Sequence, residues 1–495
     1  MSSAPPTAQD ATRAGLWSGV DIVLRQGFQF AVTVALARLL APGEFGIVAL
    51  LAVFAALWTV FLEGGANTAL LRTPESTRVQ ESTVFWMNIL AGLGCAILLL
   101  LIAPLVAHFY GLAILVPLMA VAAVQVLFVS FGAIQTALLS RALKFRSLLV
   151  VGLCSTLVSG GVALTLALAG YGVWALALQQ LVGAAATATG LWLVSRWRPS
   201  RVFDFGATRP LFRFGSHVVV SGVLDVLYVQ GFALLIGKMH GVASVGLYAR
   251  AQNTQALPVG IIATMVGRVT LPVLATRVDD PEGLRRAVAR ATQLAMAISL
   301  PMTLGLASLA ETAVLLLYGP AWAPAGPILC ILAIAACLYP QAIILQHGIL
   351  AQDKSQQYLN LIMAKQALAL TTMIVGSFFG IMGLAYSQLL NGLGGTILNC
   401  LAARRHIGYG LRDQARDLGG IAALSVTMAL TIAWLSAALD YPPLVEAALL
   451  IPGGALLYLL LALLFRVGAV LDALQLIASM LPGARRFAAA PPGPD

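Results

Sequence analysis

Residues 83–108 read TVFWMNILAGLGCAILLLLIAPLVAH, a run without a single Asp, Glu, Lys or Arg. As a helix rising 1.5 Å per residue, such a run crosses the roughly 30 Å hydrocarbon core of a bilayer. It does not alternate apolar and polar residues, as a membrane-barrel strand would. The same pattern recurs along the chain, near 16–40, 45–70, 112–138, 148–170, 172–195, 211–238 and 243–273. It continues near 290–317, 324–351, 356–380, 382–403, 418–439 and 445–466. These runs predict an all-α polytopic membrane protein with about 14 transmembrane helices. Composition points the same way. Of 495 residues, 60% are apolar and 10% charged, against roughly 45–50% and 25% in soluble domains. An ordinary soluble enzyme, a disordered chain and a secreted disulfide scaffold are excluded. The polar, Pro-containing start Met1–Thr12 has no short apolar core with a small-residue cut site, so the first span is expected to remain.

The basic residues test the span reading. With the N-terminus in the cytoplasm and each span crossing once, every second connection is cytoplasmic. Of 29 Lys and Arg, five fall inside spans: Arg25, Arg38, Arg250, Arg268 and Lys365. Only Lys238 falls in a connection on the opposite side. The rest, including Arg72, Arg78, Lys144, Arg146, Arg196, Arg198, Arg201, Arg285, Arg286, Lys354, Arg404, Arg405, Arg412 and Arg416, mark one face. Cytoplasmic connections are enriched in Lys and Arg, so both termini are expected in the cytoplasm. The formal charge of +10 is therefore mostly topological. It does not signal nucleic-acid binding, because no soluble basic domain carries it. From Val467 to Leu481 apolar positions recur on one helical face, which predicts a helix lying on the cytoplasmic membrane surface. Residues 487–495 are expected to fray.

An internal repeat lies at an offset of 200. Arg13, Gly15, Val20, Val23, Leu24, Gly46 and Ala49 match Arg213, Gly215, Val220, Val223, Leu224, Gly246 and Ala249, and Arg38 matches Lys238 conservatively. This maps the first two spans onto the seventh and eighth. An even number of spans per half makes the repeat parallel, about an axis along the membrane normal. The expected division is a tail at 1–14, six-helix bundles at 15–209 and 210–403, a cytoplasmic loop with helices 13 and 14 at 404–466, and an amphipathic tail at 467–495.

A charge near a bilayer centre costs about 2.5–3.5 kcal/mol even on the lenient insertion scale, so embedded charges face protein or water. The acids in spans are Asp21, Glu63, Asp225 and Glu311. Asp21 and Arg25 are four apart on one helix, and Arg25 is equivalent to Asp225 in the repeat, which allows an Arg25–Asp225 bridge. Arg38 and Arg268 also fit snorkelling to an interface, and Glu311 fits a packing-satisfied acid. Arg25, Asp225, Arg250 and Lys365 lie deeper and are the stronger cavity candidates. Polar residues nearby, among them Gln341, Gln346, Asn360 and Gln366, suit a hydrated interior. Pro258, Pro272 and Pro301 are positioned to kink spans 8 and 9. Gly15/Gly19, Gly237/Gly241 and Gly376/Gly380 have the spacing of close helix packing. The five cysteines form no CxxC pair and His is rare, so no metal site or cofactor is expected. GFALLIGK at 231–238 departs from a phosphate loop in spacing, and Met239 stands where Ser or Thr would hold magnesium. No catalytic motif is present, and no segment outside the spans is large enough for a catalytic domain.

Several stretches resemble one known family. Ala37-Arg38-Leu39-Leu40-Ala41-Pro42-Gly43-Glu44-Phe45-Gly46 resembles the end-of-span-1 signature of bacterial polysaccharide flippases. Glu63-Gly64-Gly65-Ala66-Asn67-Thr68-Ala69-Leu70 resembles the end of span 2, with its acidic-Gly-Leu element altered to Glu-Gly-Gly. Gly246-Leu247-Tyr248-Ala249-Arg250-Ala251, with Pro258, resembles the element that opens span 8. Over about residues 14–466 the chain is similar to the Wzx-type exporters of the MOP superfamily, WzxC-like branch. The resemblance implies two six-helix bundles around a central cavity, rocking between inward-open and outward-open states. It implies an undecaprenyl-pyrophosphate-linked oligosaccharide as substrate, flipped across the bacterial inner membrane for lipopolysaccharide or exopolysaccharide synthesis. It also implies neighbouring polymerase and chain-length machinery. By that resemblance Arg38 is a cavity cation, with Arg25, Arg250 and Lys365 as further anion contacts. Asp21, Glu63 and Asp225 are then gating, pairing or ion-coupling groups. Two other classes are a MATE-like cation or drug antiporter, which would favour an acidic cavity, and a membrane polysaccharide polymerase, which would carry a large outer loop.

Overall fold

A computed structural model describes residues 26–62, 77–142, 144–204, 222, 223, 226, 229–352, 354–439, 441–470 and 472. Among the described residues the backbone is helix, turn and short connection, with no strand. The chain divides into two units, Met1–Gly246 and Leu247–Asp495.

The first unit holds α1 (26–39), α2 (Pro42–Leu62), α3 (Arg78–Tyr110), α4 (Leu115–Arg141), α5 (Phe145–Leu168), α6 (Val173–Val194) and α7 (229–240). It also holds the first turn of α8 (Val242–Ala275). The second holds the rest of α8, then α9 (Pro281–Ser308), α10 (Ala310–Tyr318), α11 (Ala325–Ala336), α12 (Tyr339–Leu350), α13 (Ser355–Ser377), α14 (Gly380–Ile407), α15 (Leu411–Ala438) and α16 (Pro443–Leu464).

Helix ends follow local chemistry. The Thr77 hydroxyl accepts from Gln80 N–H at 3.2 Å, and the Gln80 side chain accepts from Thr77 N–H at 3.0 Å. This capping box starts α3. Gly111, at φ 68°, ends it in the left-handed conformation that suits glycine. Asp280 accepts from Gly283 N–H at 2.9 Å to start α9. Within the spans, buried Ser130, Ser155, Thr156, Thr292, Thr303 and Ser425 donate to carbonyls one turn back. Lipid offers no partner, so each hydroxyl uses its own helix.

Ten helices among the described residues are long and apolar enough to cross a membrane. The chain is a multi-pass membrane protein. The remaining segments read as spans, α1, α7, α8 and α14, are helical over their described residues without meeting that test. Alpha8 carries Arg250, Asn253 and Arg268, and α14 carries Gln388, Asn391 and Asn399, which lowers their hydropathy.

Pro258 and Pro272 lie within an unbroken α8, and Pro301 within an unbroken α9. Helix breaks fall at Leu309 and at Cys337–Leu338. The second precedes Pro340, which lacks an N–H and whose ring would clash with the carbonyl of Ala336 in a continuous helix. One expectation changes, because the glycine pairs do not act as their spacing suggests. Gly241 and Gly380 have φ of 82° and 78° and form turns. Gly237 packs on Leu50 and Tyr110, and Gly376 packs on the backbone of Gly383 across the α13–α14 hairpin. Gly15/Gly19 lie outside the described residues. By packing, α7 belongs to the first unit.

Helices 13 and 14 of the sequence reading, α15 and α16, are tied to α9 along its length. Arg285 pairs with Asp413 at 3.0 Å, Tyr458 donates to Ala297 O at 2.9 Å, and Ser308 donates to Ala429 O at 2.9 Å. Asp472, at the start of the amphipathic tail, pairs with Arg290 at 2.9 Å.

Candidate functional site

In the second unit, α13 and α14 pack as a hairpin and bring Lys365 against Gly395. A Cβ on Gly395 would stand 3.3 Å from Lys365 Cε, so the glycine makes room for the lysine stem. Lys365 is half-buried and makes no hydrogen bond or ion pair with any described residue. Gln388, Asn391, Gly395 and Asn399 recur at three- and four-residue spacing, which is one face of α14. At the end of this face Asn399 accepts from Gln346 on α12 at 3.1 Å. An ammonium without a described counter-charge on a membrane-crossing helix is held at a cost, and water or an anionic ligand relieves it.

Arg250 lies half-buried on α8. Thr254, one turn on, donates to its carbonyl at 2.8 Å and lies 2.7 Å from the Tyr318 hydroxyl at the end of α10. Tyr318 in turn packs on Trp322, with ring centroids 5.8 Å apart. This fixes the turn of α8 from which Arg250 projects. Arg38 lies exposed near the end of α1. Asp21, Arg25, Glu63 and Asp225 lie outside the described residues, as does the side chain of Arg268. Glu311 stands in the first turn of α10, where a carboxylate suits the positive end of the helix.

The face of the first unit opposite the basic connections holds two features. Alpha2 and the first turn of α8 cross at Gly46 and Gly246, the pair matched by the repeat. A Cβ on Gly46 would land on the carbonyl oxygen of Val242, and one on Gly246 would land on that of Pro42. The approach is reciprocal: each hypothetical Cβ lies 3.0–3.1 Å from the other glycine's nitrogen. Only residues without a side chain permit it. Beside this crossing, Lys238 Nζ donates to Phe109 O at 2.6 Å and sits 4.2 Å from the Phe109 ring centroid. The carbonyl belongs to the last turn of α3, so the ammonium satisfies an acceptor left open by the helix end and lies at the negative end of its dipole. The lysine that breaks the charge asymmetry of the sequence is thus a helix cap.

Sequence reasoning also placed Gln341 among residues of a hydrated interior. It is buried and donates to Gln414, which in turn accepts from Cys400 Sγ at 3.2 Å and donates to Tyr409 O at 3.0 Å. Tyr409 donates to Asp417 at 3.1 Å. Burial, and next the Asp417 carboxylate, push the Tyr409 hydroxyl up, which keeps it a donor. This network fastens the α14–α15 connection. The lone glutamines gave no signal of their pairing, because the partners are 59 and 73 residues away.

The family described as polysaccharide biosynthesis protein matches residues 35–327. The chain is 29% identical over 328 residues to the succinoglycan biosynthesis transport protein ExoT of Rhizobium meliloti (strain 1021), covering 66% of each chain. It is 23% identical over 329 residues to the lipopolysaccharide biosynthesis protein WzxC of Escherichia coli (strain K12), covering 65% of this chain and 66% of that one. The matched part spans just under two thirds of each relative's length. Among solved structures, the lipid II flippase MurJ in an inward closed conformation superposes with a TM-score of 0.74 at 17% identity, over 91% of this chain and 99% of that one. At that identity the likeness shows a shared fold.

Proposed function

Because the chain belongs to the polysaccharide biosynthesis protein family, we propose that it is a flippase for lipid-linked oligosaccharide. Its substrate is an undecaprenyl-pyrophosphate-linked repeat unit, moved from the inner to the outer leaflet of the bacterial cytoplasmic membrane. Both termini face the cytoplasm. The product serves lipopolysaccharide or exopolysaccharide assembly, with a polymerase and chain-length machinery downstream. The observation that carries this reading is Lys365, an ammonium with no described counter-charge on a membrane-crossing helix.

The physics of the step is a problem of charge. A pyrophosphate cannot enter hydrocarbon with its charge uncompensated. Lys365 and Arg250, with Arg38 and Arg25, supply charge-assisted hydrogen bonds to its oxygens. The polar face of α14 serves the glycan, and the lipid tail stays in the bilayer. Asp21, Glu63 and Asp225 gate the path or couple it to an ion. No bond is made or broken in the substrate, which makes the protein a transporter rather than an enzyme. The six-helix bundles at 15–209 and 210–403 are the moving bodies, with α15 and α16 fastened to the second.

The test is a strain lacking the gene, assayed for lipid-linked oligosaccharide on each leaflet. The unit is expected to accumulate on the cytoplasmic leaflet and to clear when the wild-type gene is returned. Neutral substitution of Arg38, Arg250 and Lys365 together should abolish that rescue at equal protein level. Unchanged export from the triple variant would show that these cations are not the anion site. Absence of cytoplasmic-leaflet accumulation in the deletion strain would contradict the flippase reading itself.

A further inference from the structure

The connection after α6 reads Ser195-Arg196-Trp197-Arg198-Pro199-Ser200-Arg201-Val202-Phe203-Asp204. It has no regular secondary structure, yet it is zipped along the start of α3. Trp197 Nε1 donates to Glu81 at 2.7 Å. Ser200 N–H donates to Ser82 Oγ at 3.0 Å, and the two hydroxyls lie 2.8 Å apart. Trp86 Nε1 donates to Ser200 O at 2.9 Å, and Asp204 N–H donates to Thr83 Oγ1 at 3.1 Å. Arg198 turns back onto α6, donating to Trp192 O at 3.0 Å and Ser195 O at 2.6 Å with its guanidinium 5.2 Å from the Trp192 ring centroid. One arginine of the stretch is therefore consumed as a helix cap.

Two are not. Arg196 and Arg201 are exposed and pair with no described carboxylate. Next to Arg201, Val202 and Phe203 are 46% and 52% exposed. Leu193 and Val194, at the end of the spanning helix α6, are exposed as well, so exposed apolar side chains stand at both the span's end and the connection. A pinned backbone that offers uncompensated guanidinium groups beside exposed apolar side chains, at a span's end, matches a leaflet boundary. Phosphates lie there beside the first acyl carbons.

We propose that residues 196–203 form a binding site for anionic phospholipid, with Arg196 and Arg201 engaging headgroup phosphates and Val202 and Phe203 entering the acyl boundary. The partner is bilayer lipid of the basic-rich leaflet and not the transported molecule. Because the backbone is held by α3, lipid bound here steadies the chain between the sixth and seventh spans.

The full chain reconstituted in nanodiscs of phosphatidylcholine, with and without phosphatidylglycerol, tests this by native mass spectrometry and thermal unfolding. Phosphatidylglycerol should be retained by the wild type and raise its unfolding midpoint. Each arginine near an anionic surface contributes roughly fivefold, so Arg196→Gln with Arg201→Gln should weaken lipid retention on the order of 30-fold. Phe203→Ser should weaken it less, with the arginines intact. Arg412→Gln with Arg416→Gln, a basic pair on the same side, should weaken retention clearly less than the 196/201 pair. Equal retention by the 196/201 double variant, or equal loss in the 412/416 pair, would overturn the site. Full stabilisation by inorganic phosphate in phosphatidylcholine discs would overturn the assignment to lipid. The readouts are independent of transport, so they stand apart from the flippase reading.

Discussion

Two lysines of this chain sit on helices and are treated in opposite ways. Lys238 is saturated: a last-turn carbonyl of α3 at 2.6 Å and an aromatic face at 4.2 Å take up its charge. Lys365 has neither among the described residues, and a glycine clears space for its stem. The sequence alone assigned both by position, one to a connection and one to a span. The structure separates them by what they touch. A cation whose bonds are met by its own fold stabilises that fold, while a cation without described partners inside a span is held at a cost that water or a bound anion would relieve.

The largest effect is expected from Lys365→Gln. Polysaccharide export should fall at least tenfold, an effect on the order of 1.4 kcal/mol or more, with the unfolding midpoint unchanged or raised. Lys365→Arg should retain part of the export. A variant that loses stability in step with export would erase the contrast between the two lysines.

Gly46→Ala perturbs the other region. Overpacking costs typically about 1–3 kcal/mol, and here the new methyl meets a backbone carbonyl that has little freedom to yield. The expected outcome is a lower unfolding midpoint and greater labelling of a cysteine introduced at Gly43. Gly246→Ala should behave alike because the approach is reciprocal, and the double variant should cost less than the sum. Unequal or fully additive effects would break the symmetry of the crossing.

Lys238→Met removes a cap and a ring contact, together worth about 1–2 kcal/mol. It should lower the unfolding midpoint while export per folded molecule stays near wild type. Phe109→Leu keeps the carbonyl and loses only the ring face. A loss of about 0.5–1 kcal/mol is expected, visible as a smaller midpoint shift.

The spans were legible in the sequence because twenty uncharged residues can satisfy their backbone in lipid only as a helix. Segments read as 148–170 and 172–195 became Phe145–Leu168 and Val173–Val194. Interruptions were harder to read. Pro301 lies inside a continuous helix, whereas Pro340 stands in the first turn of one, where its missing N–H leaves no bond unmade. Gly46 and Gly246 were visible as a repeat match, and their contact was not, since a repeat states equivalence and not proximity. Lys238 was legible only as an exception to the charge rule. Its partner lies 129 residues away and is a backbone carbonyl, which carries no residue-type signal. Lys365 was found because an embedded charge needs no partner to be conspicuous.

Binding of a soluble short-chain polyprenyl pyrophosphate to the purified chain tests the central claim most directly. Wild type and Lys238→Met should bind it with equal, salt-sensitive affinity, and Lys365→Gln should bind at least tenfold more weakly. Undiminished binding by Lys365→Gln, at wild-type fold and salt dependence, would contradict the account.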